Sequence, residues 1–418
     1  MVMSRAVDQV TAANRSREFL LVCACCVWRP SEAHRASIRS RAKEIADWEH
    51  VLAIAGRHRV LGLVHHALCS AEVALPQAVR NTFAACAQAI ARLNLQMAAE
   101  ILRLQKIFDD AGIRAISVKG VGLGQLAYGT PAVKDSRDID LLVEEGRATD
   151  ALTLMESNGY KLSAPAADLN EALRRAFVRH CIQLGLEHGR TDVQVELHWR
   201  LVSNRHLLDG VDVHGPTQEI LLAEGRSIRT LARDDLFAYL CAHGAKHGWS
   251  RLKWLVDLSV LIADASEADI ERLYRHAARR GAGYCAAQAL TLCRDLLGLP
   301  LPAALEAEFG RSRRVARLVA IARHAMTGAD PAIELEDRPS AKIGVVLSSF
   351  LLGSGMRFLL SELRAAGVSG SDIVLLRLPE WLDFLYLPLR PLLFLWRRWR
   401  YLLGRASWDG PRLPRAQP

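Results

Sequence analysis

The chain has 418 residues, half of them hydrophobic and about a quarter charged, with a formal net charge of +9 at pH 7. This length buries a substantial core in two or three domains, and the composition excludes an intrinsically disordered chain. The nine cysteines are odd in number and lack metal-finger spacing, which argues against a disulfide framework and for reduced thiols in a cytoplasm. The positive charge is compatible with a polyanionic partner or an anionic lipid surface, and equally with diffuse arginine.

Residues 1–17 are polar and are expected to fray. From Glu18 to about Ile107 the pattern is helical, with helices predicted over Phe19–Trp28, Ala36–Ala55, Val60–Leu68 and Val79–Asp110. Asp47 and Trp48 fall inside the second of these. Phe19–Trp28 is too short for a membrane span and lacks a small-residue cleavage site after it, so it reads as a core helix. The long fourth helix carries Leu93, Met97, Ile101, Leu104 and Phe108 at helical spacing and leads through Gly112 into a strand over 113–118.

Lys119-Gly120 follows that strand, then a short helix, Val121–Tyr128, stopped by Gly129-Thr130-Pro131. A glycine between strand and helix lets backbone N–H groups approach a phosphate at the positive helix end. Asp138-Ile139-Asp140 then opens the apolar run Leu141-Leu142-Val143, a short buried strand. Residues two apart on a strand share a face, so Asp138 and Asp140 sit side by side. Two such carboxylates repel unless a cation lies between them. Mg²⁺ prefers one or two carboxylates plus phosphate oxygens.

This order resembles the nucleotidyltransferase superfamily with a DNA polymerase beta-like palm, and more closely a family of uncharacterised bacterial nucleotidyltransferases. The pattern of that family is a Lys-Gly turn, a helix ending in Tyr-Gly, a basic residue four before the first Asp, then Asp-Ile-Asp-Leu-Leu-Val. Lys119-Gly120, Tyr128-Gly129, Lys134 and Asp138–Val143 fit in that order. With the downstream matches the resemblance covers roughly residues 45–265.

Beyond the D-x-D strand, a helix is expected over Arg147–Asn158, then an edge strand at Lys161-Leu162 and a polar stretch turning helical over Pro165–Arg179. Residues 181–187 and 191–198 read as a hairpin. Val193, Val195 and Leu197 alternate with Asp192, Gln194, Glu196 and His198. The resemblance implies a third acid two residues before a His-Trp pair, and Glu196-Leu197-His198-Trp199 matches, with Glu196 as metal ligand or base. Leu207–Gly225 reads as a connection with a short helix. Asp234-Asp235 then opens a helix reaching His243, Lys246, His247 and Trp249, followed by Leu252-Lys253-Trp254-Leu255-Val256-Asp257-Leu258. The family has a similar His-x-x-x-His-x-Trp block. It implies a face closing over the nucleotide, with His243, Lys246 or His247 at the triphosphate and Trp249 stacked on the base; packing is the other reading. Ser266–Thr327 is further amphipathic helix, 328–340 a charged loop, and Lys342–Leu363 a helix interrupted by Gly353 and Gly355. Trp381–Gly404 combines Trp, Phe and Leu with Arg. Pro388, Arg390 and Pro391 keep it from spanning a membrane as one apolar helix, and its composition suits a membrane interface, a partner groove or docking on the chain itself.

The expected fold class is α+β, a small mixed nucleotidyltransferase-type sheet flanked by largely helical N- and C-terminal regions. The expected division is 1–95 helical, 96–205 palm-like, 206–330 helical and 331–418 helical with the aromatic and basic tail. The expected activity is transfer of a nucleoside monophosphate from an NTP such as ATP to an unknown hydroxyl, on a small molecule or a protein, with release of pyrophosphate. Asp138, Asp140 and Glu196 would hold Mg²⁺ (or Mn²⁺). Lys119, Gly120, Lys134, Ser136 and Arg137 would serve the phosphates. The main alternative is a non-catalytic nucleotide- or partner-binding protein on the same fold, encoded in a biosynthetic or polysaccharide-export cluster as related chains often are. A nucleic-acid binder lacks a helix-turn-helix or dense basic stripe, and a zinc hydrolase on His243 and His247 lacks the intervening Glu. The expected location is cytoplasmic, with peripheral membrane contact through 381–404 as an option.

Overall fold

The computed structural model describes residues 16–164, 169–191 and 193–402. Most of the stretch expected to fray, the residues 165–168, Asp192 and the tail end at 403–404 lie outside the described residues. The fold is α+β, with a small mixed five-stranded sheet and a two-stranded sheet flanked by helical regions. The chain forms two compact units. A helical unit draws on Met1–Ala98, Gly120–Ser136 and Arg233–Gly353, and a sheet-bearing unit on Ala99–Lys119, Arg137–Ala232 and Ser354–Pro418.

In the sheet-bearing unit the strands are β1 (Ala115–Ser117), β2 (Asp138–Val143), β3 (Tyr160–Ala164), β4 (Gln183–His188), β5 (Gln194–His198), β6 (Thr217–Ala223) and β7 (Arg226–Leu231). The large sheet runs β1-β2-β5-β4-β3, and β6 pairs with β7. β2 and β5 are parallel neighbours, while the other pairs are antiparallel. β2 is an interior strand, buried beyond Asp138, which is why its sequence is an unbroken apolar run rather than an alternation. β5 does alternate, with Val195 and Leu197 fully buried, and it forms the expected hairpin with β4.

The helix Gln77–Asp110 brings Ile101, Leu104 and Phe108 into the core of this unit. The Tyr160 hydroxyl of β3 donates to Glu100 of that helix. Gln105 Oε1 accepts the Arg229 N–H of β7 at 3.5 Å.

The expected short helix within 207–225 is replaced by the β6–β7 hairpin. Ile220 faces Ile228 across it, both are buried, and Gly225 turns the chain at φ +67°. A helix there would have scattered these two isoleucines, which the strand register puts on one face.

In the helical unit the predicted helix over 36–55 is broken into Glu32–Ala42 and Trp48–Arg57. Asp47 is the N-cap of the second helix, its carboxylate accepting the His50 N–H at 2.9 Å. Such a cap is worth about 1 kcal/mol, which a continuous helix would forfeit. The helix Val121–Tyr128 forms over the predicted residues, with Gly120 before it at φ 71° and ψ −139°, a backbone that side chains oppose. Near the C-terminus, Tyr386–Leu402 is helical with Pro388 in its first turn, where proline lacks no needed donor. No helix among the described residues is long and apolar enough to cross a membrane.

Candidate functional site

The register of β2 against β5 builds the site. Asp140 lies directly opposite Glu196, and Asp138 opposite Gln194. Because β2 and β5 are parallel and in step, the side chains of Asp140 and Glu196 emerge on one face, joined by His198 two residues on. The potential ligand atoms of Asp140, Glu196 and His198 all lie within 4.8 Å of one another.

Lys119 enters from the end of β1. The Val118 N–H donates to the Asp140 carbonyl at 3.2 Å, extending the β1–β2 pairing by one step. That puts Lys119 Nζ 2.8 Å from Asp140 Oδ1 and 3.9 Å from Glu196 Oε2. His198 Nε2 lies 3.1 Å from Asp140 Oδ1 and 3.4 Å from Glu196 Oε2. Both neighbours are carboxylates that only accept, so Nε2 carries the proton.

Charge and burial compete here. Burial alone lowers the His198 pKa, but hydrogen bonds and charge from Asp140 and Glu196 outweigh it and hold the imidazole above its ordinary value. Burial raises the Glu196 pKa, while the His198 hydrogen bond and the Lys119 ammonium pull it lower than Asp138 can push it up, leaving it below the usual carboxylate range. Asp138 lies two residues before Asp140 on β2, outside the tight group of three.

Two atoms test whether a cation fits. Asp140 Oδ2 and His198 Nδ1 are both buried without a hydrogen-bond partner. A buried carboxylate oxygen left bare is costly, and the paired carboxylates of Asp140 and Glu196 suit a divalent ion. The residues therefore fit a metal.

Of the residues expected from the sequence, Lys119, Asp140 and Glu196 meet at this site, and Asp138 stands two residues before Asp140 on the same strand. Arg137 directly precedes Asp138 in the same unit and is exposed. Gly120, Lys134, Ser136, His243, Lys246, His247 and Trp249 belong to the helical unit.

Lys134 is not a phosphate ligand in this structure. It is buried, with Nζ 2.9 Å from Asp257 Oδ2, and the Tyr128 hydroxyl donates to Asp257 Oδ1 at 2.8 Å. The loop carrying Lys134 is held from below by Asn94, whose amide donates to the Pro131 and Lys134 carbonyls, each at 2.6 Å. Trp249 is likewise corrected to a core residue. It has no exposed surface, its indole N–H donates to Gln288 Oε1 at 3.2 Å, and its ring fills the space beside Gly244. Ser136 is buried as well.

His243 and His247 group instead with Trp254. The His243 and His247 rings are 4.6 Å apart, and His247 stacks on Trp254 at 5.0 Å and 26°. Among the described residues the one group of three or more metal-ligating side chains is Asp140, Glu196 and His198, and it does not include these two histidines.

The sequence reading passed over His198 as a site residue. Its signal was present: it alternates with Glu196 on a strand, and that alternation fixes its face. Trp199, the other half of the pair, is structural, its indole N–H shared between the Val178 and Cys181 carbonyls at 3.0 and 2.9 Å.

No curated protein matches the chain. A family model described as uncharacterised nucleotidyltransferase matches residues 44–298, more than half of the chain and every residue of the site. The chain belongs to this nucleotidyltransferase family.

Proposed function

We propose that the chain is a metal-dependent nucleotidyltransferase that moves a nucleoside monophosphate from an NTP to a hydroxyl group and releases pyrophosphate. The observation that carries this reading is Asp140 and Glu196 in register on parallel strands, with Asp138 one pleat before and Asp140 Oδ2 bare. Asp138, Asp140 and Glu196 would hold Mg²⁺ or Mn²⁺. The bound ion would supply charge for the triphosphate and a lower pKa for the acceptor hydroxyl.

The protein's own groups divide the remaining work. Three carboxylates face one lysine and one imidazole held toward its charged form, so the cluster keeps net negative charge and favours a cation. Glu196, with its pKa depressed, is a weak base and a good ligand. Lys119 carries a mobile ammonium that can exchange a carboxylate oxygen for a phosphate oxygen as substrate enters. Family membership supports the transfer reaction.

One observation favours a second reading, a nucleotide-binding protein without catalysis. Lys119 and His198 already pair with the acids, so the cluster is partly neutralised without metal.

Calorimetric titration with each of the four NTPs, with and without Mg²⁺, separates the two. Wild type is compared with an Asp138→Asn, Asp140→Asn variant whose fold is checked by circular dichroism. The transferase reading expects Mg²⁺-dependent binding that weakens at least about tenfold in the variant. Binding indifferent to both Mg²⁺ and the substitutions supports the second reading. No binding by folded wild type, alone or with acceptor hydroxyls present, refutes both.

A further inference from the structure

We infer that the C-terminal part of the sheet-bearing unit, Met356–Trp396, is a docking surface for an anionic lipid membrane. The helix Met356–Gly367 buries Phe358 and Glu362. Phe358 turns inward and is buried, while Met356, Leu360 and Leu363, spaced four and three apart, line the opposite face and are exposed. A surface helix normally shows charge on that side. The next stretch repeats the arrangement. Trp381 and Phe384 are 74% and 68% exposed in the turn Glu380–Leu385. In the helix Tyr386–Leu402, Tyr386 and Leu393 point inward while Leu392, Leu395 and Trp396 are exposed.

The two rows lie on helices that pack against each other, closely enough that a Cβ added at Gly367 would come within 2.6 Å of Leu387. The surface is rimmed by exposed Arg357, Arg364 and Arg377.

Charge identifies the occupant. Of the four acids of this stretch, Glu380 is exposed and lies 3.6 Å from Arg179. Asp383 is turned inward, 2.8 Å from His180 Nε2 and 3.3 Å from Arg179. Glu362 and Asp372 are buried, accepting from Asn204 and Ser369. The exposed face therefore presents Trp, Phe, Leu and Met among arginines, the side-chain set of a bilayer interface with anionic headgroups. A second copy of the chain would set one arginine-rimmed face on another, a like-charge pairing. Since no described helix can cross a membrane, the contact is peripheral.

Co-sedimentation with phosphatidylcholine vesicles, with and without an equal share of phosphatidylglycerol, tests this. Wild type should bind the mixed vesicles at least about tenfold better than the neutral ones, and less well as salt rises. A Trp381→Ser, Phe384→Ser variant and an Arg357→Glu, Arg364→Glu variant should each lose at least about tenfold. The arginine variant touches no apolar contact, so it decides the matter if the aromatic one unfolds. The inference is overturned by no binding, by equal binding to neutral vesicles, or by variants that bind like wild type. Sedimentation velocity showing a wild-type dimer that the same substitutions dissolve also overturns it, in favour of a second copy.

Discussion

Lys134→Met should destabilise the protein by about 3–5 kcal/mol at neutral pH. The substitution keeps the stem of the side chain and removes the ammonium that pairs with Asp257 at 2.9 Å. Both partners are nearly inaccessible, at 6% and 4% side-chain exposure. Asp257 would keep only the Tyr128 hydroxyl, which donates at 2.8 Å. The stranded carboxylate would be a buried charge without its cation. Urea unfolding followed by tryptophan fluorescence measures the loss. Adding Asp257→Asn removes the stranded charge and should recover part of it. A deficit below about 1 kcal/mol, or no recovery in the double variant, would refute the buried-pair argument.

Two histidines should give opposite pH dependences. Burial first, then the charges of Arg57, Arg251 and Arg338, hold His58 well below its ordinary 6.5, and its Nδ1 accepts the Leu252 N–H at 3.0 Å. Its contribution is complete above 6.5 and is lost as pH falls toward the depressed folded value, so His58→Gln should flatten the acid limb of the stability profile. His198 is raised, so its contribution is complete below 6.5 and is lost as pH rises through the folded value. In chelator-treated buffer, the gap between wild type and His198→Gln should therefore be wider in acid than in alkali; a reversed gap would contradict the carboxylate pairing. Gly62→Ala should cost about 1–3 kcal/mol in thermal or urea unfolding, because its Cβ would sit 2.5 Å from the Val133 carbonyl oxygen, a backbone atom with little freedom to yield.

Much of the site was legible because it is local. The glycine turn, the helix Val121–Tyr128 and the strand Asp138–Val143 follow from backbone preference and an apolar run, and they form where the pattern puts them. Glu196 came from the resemblance together with strand alternation. Lys134 and Trp249 were assigned by their place in a motif, and a motif does not record burial. The β6–β7 hairpin was missed because the run between Thr217 and Leu231 is polar at half its positions, and only the pairing of Ile220 with Ile228 reveals its period.

The sequence by itself determined the α+β class, which rests on periodicity and on glycine's backbone freedom, and the order of motif residues on which the family resemblance rests. Tertiary structure alone decided which charges meet. Asp257 and Lys134 are far apart in the chain and joined in the core, and Lys119 reaches Asp140 only because β1 pairs with β2. The parallel register of β2 and β5 sets Asp140 against Glu196, and a shift of one residue would have turned one of them to the other face. Compactness also groups segments that the chain order separates, as in the two discontinuous units. Pairing energies act through space and burial, and neither is written in the order of the residues.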